Sequence, residues 1–292
     1  MVRSNLKIKK TTKTADLKVV KDSAVKTTSY SDINLKAWRD YDHIKTDTLW
    51  EFPNRLKEGG HSNEYHGNYI PQSAQQIYER YTKKGDIVLD MFFGSGTSGI
   101  EAINMNRRCI GVELKEDLAE KVSEKFTPKQ LVTDVNIICA DSASELAKEK
   151  IKARLDIMGA KKAQLLMLHP PYDDIIKFSD KKEDLSNCSS TEEFYDLFEK
   201  VAKNGYDMLE KGRFACLIIG DKYANSQHIP LGFECMARMN KLGFITKAII
   251  IKDMQGNERA KGKTANLWRY RALAGGFYIF KHEYVMVFHK VG

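Results

Sequence analysis

Five cysteines in 292 residues (Cys109, Cys139, Cys188, Cys216, Cys235), with no Cys-x-x-Cys pair among them, are too few and too scattered for a disulfide framework. Three of them sit in apolar runs, which reads as reduced core thiols. The seven histidines do not cluster with cysteine, so no zinc site, and no metal of any kind, is implied. No apolar run approaches the roughly 20 residues of a membrane span. The lysine-rich start has no apolar stretch behind it to make a signal peptide. The expectation is a soluble, cytoplasmic protein with no membrane partner. Proline is scarce as well, at six, so two side by side at positions 170 and 171 mark a place where the chain must turn.

What is present is a globular composition, 42% hydrophobic, under an uneven charge of +8. Residues 1–28 hold eight basic groups against two acidic ones, and residues 252–271 hold six against two, which leaves a slightly acidic body. Basic arms flanking an acidic body favour a polyanionic partner. Residues 1–30 read as a flexible basic arm, and 31–292 as one α/β domain. At its start, 31–72 reads as a long loop pinned by Trp50, Phe52, Tyr65 and Tyr69.

From Ser73 onward the pattern alternates. Strand-like runs fall at 86–93, 108–114, 135–140, 164–168, 214–220, 245–251 and 283–289. Amphipathic stretches separate most of them, which predicts a doubly wound Rossmann-like sheet. No helix is evident between the last two strands, so the final one is expected to enter antiparallel. The run "LLMLHPPYDD" at 165–174 stops a buried strand with His169, Pro170, Pro171 and Tyr172 at its carboxyl end. In open α/β sheets that edge is where ligands bind.

"VLDMFFGSGTSGIEA" at 88–102 places three glycines between a strand and a helix, and Glu113 ends the next strand. By itself this is a dinucleotide-binding pattern, with the acid accepting from both ribose hydroxyls. Asp90, immediately before the loop, would repel a pyrophosphate and welcome a cation. A nucleoside with no phosphate and a cationic amino-acid end is S-adenosylmethionine. Asp141, after the third strand, is placed to accept from an adenine amino group, or to cap the helix that follows.

"DMFFGSGTS", "GVEL" and "HPPY", in that order on an α/β pattern, resemble the amino-group DNA methyltransferases of the adenine-N6 and cytosine-N4 type. The resemblance implies a seven-stranded methyltransferase sheet with an antiparallel last strand. It puts Asp90, Phe92, Phe93, Gly94, Ser95, Gly96 and Thr97 of the glycine loop around S-adenosylmethionine, together with Glu113, Leu114 and Asp141. Asn68, Pro71 and Gln72 fall in the segment that helps close over the methionine end, or they only brace the loop. His169 and the Pro170 carbonyl become acceptors for the two N–H groups of an exocyclic amine, Pro171 stiffens the turn, and Tyr172 stacks on a flipped base. His169 departs from the family, which has Asp, Asn or Ser there. A neutral imidazole accepts one hydrogen bond and an imidazolium none.

The implied partner is double-stranded DNA, with adenine N6 slightly ahead of cytosine N4. Residues 252–278 read as a contact insertion in which Arg259, Lys261, Lys263, Arg269 and Arg271 are interleaved with Trp268 and Tyr270. A solvated connecting loop is the plainer reading of the same segment. An RNA or protein amide methyltransferase, and a non-catalytic nucleic-acid-binding relative, stay open beside the DNA enzyme.

Overall fold

The computed structural model describes residues 28–61, 67–254 and 265–292. The N-terminal arm therefore lies outside the described residues, apart from its last three positions. The strands are β1 (Leu49–Trp50), β2 (Ile87–Asp90), β3 (Arg108–Glu113), β4 (Val135–Cys139), β5 (Ala163–Leu168), β6 (Leu209–Ile219), β7 (Lys222–Ala224), β8 (Gln227–Ile229), β9 (Phe244–Asp253) and β10 (His282–Lys290). The α-helices are α1 (Pro71–Tyr81), α2 (Thr97–Asn104), α3 (Glu116–Ser123), α4 (Pro128–Thr133), α5 (Glu145–Ile157), α6 (Thr191–Met208), α7 (Leu231–Lys241) and α8 (Ala265–Gly275), with short 3-10 helices at Leu35–Tyr41, Asp173–Ile175 and Leu185–Asn187.

One mixed sheet runs in the order β1-β9-β10-β6-β5-β2-β3-β4, and β7 and β8 form a separate hairpin. The sheet has eight strands where seven were expected, because Leu49 and Trp50 pair in parallel with β9 at the edge. Two residues with Trp50 fully buried carry no alternation that a sequence pattern detects. Strand β10 runs antiparallel to both β6 and β9, as expected. The chain winds outward through β2, β3 and β4, then returns to β5 on the other side of β2. That reversal opens a crevice at the carboxyl ends of β2 and β5.

The apolar run in β5 is explained by its two covered faces. Leu166 and Leu168 pack into one core with α5, α6 and α7, while Leu165 and Met167 pack into the other with α1, α2 and Trp50. Alternate side chains point to opposite faces, so a strand covered twice is apolar at every position. Strand β2 stops at Asp90 rather than at Phe93, because the Asp90 carboxylate takes the N–H of Phe92 at 2.9 Å and bends the chain out of the ladder. Helix α8, between β9 and β10, corrects the expectation of no helix there. Its Leu267, Tyr270 and Leu273 are exposed, so it has no buried stripe to announce it. No described helix is long and apolar enough to cross a membrane.

Candidate active site

Past Leu168 the two prolines end β5, and His169 is held between two backbone carbonyls. Nδ1 lies 3.0 Å from the Ile218 oxygen on β6, and Nε2 lies 2.8 Å from the Gly67 oxygen. A carbonyl only accepts, and a neutral ring has a single N–H, so it can donate to just one of the two. The Ile218 contact lies on the buried side of the ring, whereas the Gly67 contact faces the open cavity.

Tyr172 stands edge-on to His169, with centroids 5.7 Å apart, and donates its hydroxyl to Glu283 Oε2 at 2.8 Å. Glu283 Oε1 accepts from Lys252 Nζ at 2.8 Å, a pair that is almost wholly buried. Burial pushes the Glu283 carboxyl up, but Lys252, His169 and the Tyr172 hydroxyl outweigh it and hold the carboxyl below its usual range. Burial, with Glu283 beside it, raises the Tyr172 phenol well above its ordinary value. Gly220 lets this ring approach β6, since a Cβ there would lie 2.9 Å from Tyr172 Cε2. The next residue, Asp173, takes a left-handed φ of 53° and accepts from Lys222 Nζ and Thr191 Oγ1 at 2.8 and 2.7 Å. Lys222 also reaches Asp174, so one lysine fixes the turn just past the tetrapeptide.

The acids lie across the crevice. Glu113 accepts the N–H of Gly94 and the N–H of Lys115, each at 2.9 Å, one at each oxygen. Its burial outweighs those bonds and pushes the carboxyl up to about 7. Gly111, two residues earlier, has Phe93 stacked over it; a Cβ would sit 2.2 Å from that ring. The glycine of "GVEL" is therefore dictated by the loop that covers it. Asp141 Oδ1 accepts from the Ala143 N–H, and burial raises its carboxyl. The cap of α5 is Ser144, so the capping alternative for Asp141 is not what the chain uses.

A single cavity of about 630 Å³ brings these groups together. The tetrapeptide from His169 to Tyr172 lines it, as do Phe92, Phe93, Gly94 and Thr97 of the loop. Glu113, Leu114, Asp141 and Asn68 line it as well. Asp90, Ser95, Gly96, Pro71 and Gln72 do not. Asp90 is buried behind the loop, its oxygens taken by Phe92 N–H and Ser98 Oγ. Gly96 caps α2 with φ 83°, and the Ser95 carbonyl accepts from Lys125. Pro71 opens α1, and Gln72 ties Asn54 and Leu56 to that helix.

Arg55, Lys252 and Glu283 also line the cavity; sequence reasoning assigned Arg55 and Glu283 no role and counted Lys252 only as the first basic group of the 252–278 insertion, whereas it lies within β9. They come from β1's exit, β9 and β10, and no local spacing links the three. Of the basic-aromatic segment, Arg259, Lys261 and Lys263 lie outside the described residues. Trp268, Arg269, Tyr270 and Arg271 are on α8, where the Arg271 guanidinium lies 5.3 Å from the centre of the Trp268 ring and Tyr270 is exposed.

S-adenosylmethionine fits the cavity on three grounds. The size is that of a small-molecule pocket. Glu113 and Asp141 offer carboxylate oxygens on the β3–β4 side. At the α1 side the Asn68 Nδ2 amide is buried with no partner among the described residues, a donor in want of an acceptor. An α/β sheet reversing at β2 and β5, with acids at the carboxyl ends of β3 and β4, defines the class: a nucleoside-cofactor transferase of the S-adenosylmethionine-dependent kind. The particular family follows from the chain itself, since the model of the N6/N4 DNA methylases matches residues 4–124 and 163–292. The chain belongs to that family.

Curated relatives match over shorter stretches. The "Probable type III restriction-modification enzyme HindVI Mod subunit" of Haemophilus influenzae is 39% identical over 87 residues, 28% of this chain and 12% of its own. Type II methyltransferase M.SmaI of Serratia marcescens is 43% identical over 45 residues, 15% of each chain. Type II methyltransferase M2.DpnII of Streptococcus pneumoniae is 39% identical over 69 residues, 22% of this chain and 24% of its own. The matched stretches thus span less than a quarter of those relatives' lengths. Among solved structures, TrmN from Thermus thermophilus covers 77% of this chain and 50% of its own at 15% identity and TM-score 0.49.

Proposed function

We propose that this protein transfers a methyl group from S-adenosylmethionine to the exocyclic amino group of a base flipped out of double-stranded DNA, adenine N6 ahead of cytosine N4. The observation that carries the reading is the single cavity shared by Glu113, Asp141 and the whole His169–Tyr172 tetrapeptide. When bound, S-adenosylmethionine supplies an electrophilic sulfonium methyl. Glu113 accepts from its ribose hydroxyls, Asp141 from its adenine amino group, and Asn68 donates at the amino-acid end. Phe92, Phe93, Gly94, Thr97 and Leu114 form the walls.

On the substrate side, Tyr172 stacks on the base, its ring fixed through Glu283 and Lys252. The Pro170 carbonyl accepts one amino N–H. The His169 Nδ1–H donates to Ile218, which leaves Nε2 as the acceptor once the amine takes the place of the Gly67 carbonyl. Methyl transfer would build positive charge on the amine nitrogen, so both acceptors would strengthen toward the transition state, with S-adenosylhomocysteine and one amine proton leaving. Arg269 and Arg271 hold the DNA backbone, with Trp268 and Tyr270 beside them on α8.

The two carbonyls facing His169 favour one second reading, a site that binds its ligands with His169 as a structural bridge and does not turn over. Incubation with labelled S-adenosylmethionine and unmethylated genomic DNA, then mass spectrometry of the nucleosides, separates them. N6-methyladenine or N4-methylcytosine is the expected product. No methylated nucleoside with cofactor binding intact refutes DNA methylation and favours the bridge.

A further inference from the structure

The Arg55 side chain is only partly satisfied. Its Nη1 donates to the Asn68 carbonyl at 3.1 Å, while Nε and Nη2 are both buried with no partner among the described residues. Those two N–H groups form one edge of the planar guanidinium, the edge that grips an oxyanion with two parallel hydrogen bonds. Burial weakens the hold on its proton, and Glu283 and Tyr69 offset this only in part. A buried donor edge left open is costly to the fold, so a residue that keeps one calls for a ligand.

The neighbours of Arg55 say which side of the cavity it serves. Glu113 ends β3, Asp141 follows β4 and the tetrapeptide follows β5, whereas the Arg55 guanidinium is tied to the Asn68 carbonyl and feels Glu283 on β10. Arg55 therefore stands between the Asn68 segment and the Tyr172–Glu283–Lys252 cluster, within reach of the base-holding side of the cavity. Lys252 and Lys57 line the same cavity. The two oxyanions able to reach it are a phosphodiester next to the target base and the carboxylate of the cofactor. The carboxylate already has the open Asn68 amide.

We infer that the Nε–Nη2 edge of Arg55 is the oxyanion receptor of this cavity and that it takes the phosphodiester beside the flipped base. The phosphodiester half of this rests on the DNA methylation reading above. Arg55 thereby anchors the nucleotide through its backbone while Tyr172 holds the base, fixing the amine between them.

The test compares wild type, Arg55→Gln and Arg55→Lys as full chains. Binding to fragmented genomic DNA is measured across salt concentrations, and binding of S-adenosylhomocysteine and of 5′-methylthioadenosine, which lacks the carboxylate, by calorimetry. For Arg55→Gln the expected result is a log–log salt slope lower by about one, weaker DNA binding, unchanged S-adenosylhomocysteine affinity and a melting temperature no lower than wild type. Arg55→Lys keeps the slope and loses part of the affinity, since a point charge lacks the fork. If Arg55→Gln instead loses S-adenosylhomocysteine but not 5′-methylthioadenosine, the receptor stands and its ligand is the carboxylate. No change in either measurement overturns the inference. A wild-type chain that binds no DNA overturns the DNA reading and the phosphodiester assignment together, leaving only the carboxylate arm to support the receptor.

Discussion

Replacing Glu113 by Gln removes a carboxylate that is stabilised in its protonated form by the fold. Its ordinary value of 4.5 rises to about 7 in the folded chain, chiefly through burial. The folded state thus holds a proton that the unfolded state has released. Stability from this group is fully present below about 4.5 and is lost as pH rises through 7. Between about pH 5.5 and about pH 8 the wild-type protein should lose roughly 2 kcal/mol through Glu113 alone. Glu113→Gln has no such loss. Its amide nitrogen would face the N–H of Gly94 or Lys115, a donor against a donor, at a cost of about 1–3 kcal/mol. That cost is the same at every pH, so it shifts the variant's curve without changing its shape. Urea unfolding of both proteins at the two pH values isolates the difference. Saturating S-adenosylhomocysteine should flatten the wild-type dependence, because ribose hydroxyls donating to the ionised carboxylate favour the charged form. Parallel stability curves for the two proteins would refute the account of Glu113 as a buried acid awaiting donors.

Lys252→Met leaves the Glu283 carboxylate buried and unpaired, and should cost about 3–5 kcal/mol in urea unfolding, most of it recovered in the double variant with Glu283→Gln. Gly220→Ala places a Cβ against the Tyr172 ring, so methylation of genomic DNA should fall tenfold or more while S-adenosylhomocysteine affinity is kept; an unchanged rate would mean the ring position is immaterial. Tyr172→Phe keeps the stacking face and should retain most DNA affinity, whereas Tyr172→Ala should lose about 1–3 kcal/mol of it; equal losses would point to the hydroxyl instead. Neutralising Arg269 and Arg271 should each lower the salt slope of DNA binding by about one, and an unaltered slope would free α8 of that role.

The motifs that name the site are local, and the sequence by itself determined them. A four-residue aliphatic run before two prolines can only be a covered strand that stops, and Gly94, Gly96 and Gly99 closely following Asp90 can only be a strand-to-helix turn. Those patterns placed Glu113, Asp141 and the tetrapeptide at one sheet edge before any contact was known. Tertiary structure decided what each group faces. Asp90 looked like a cofactor acid, but its oxygens close on Phe92 and Ser98 because the turn needs them there. His169 looked like a free acceptor, and the fold sets a carbonyl from β6 and another from residue 67 against its two nitrogens. Arg55, Lys252 and Glu283 carried no local signal because they meet only when β1, β9 and β10 line up beside β6. Spacing along a chain records which side chains share an element and a face. Which buried donors and acceptors meet across elements, and which are left open for a ligand, is fixed only when the sheet closes its register.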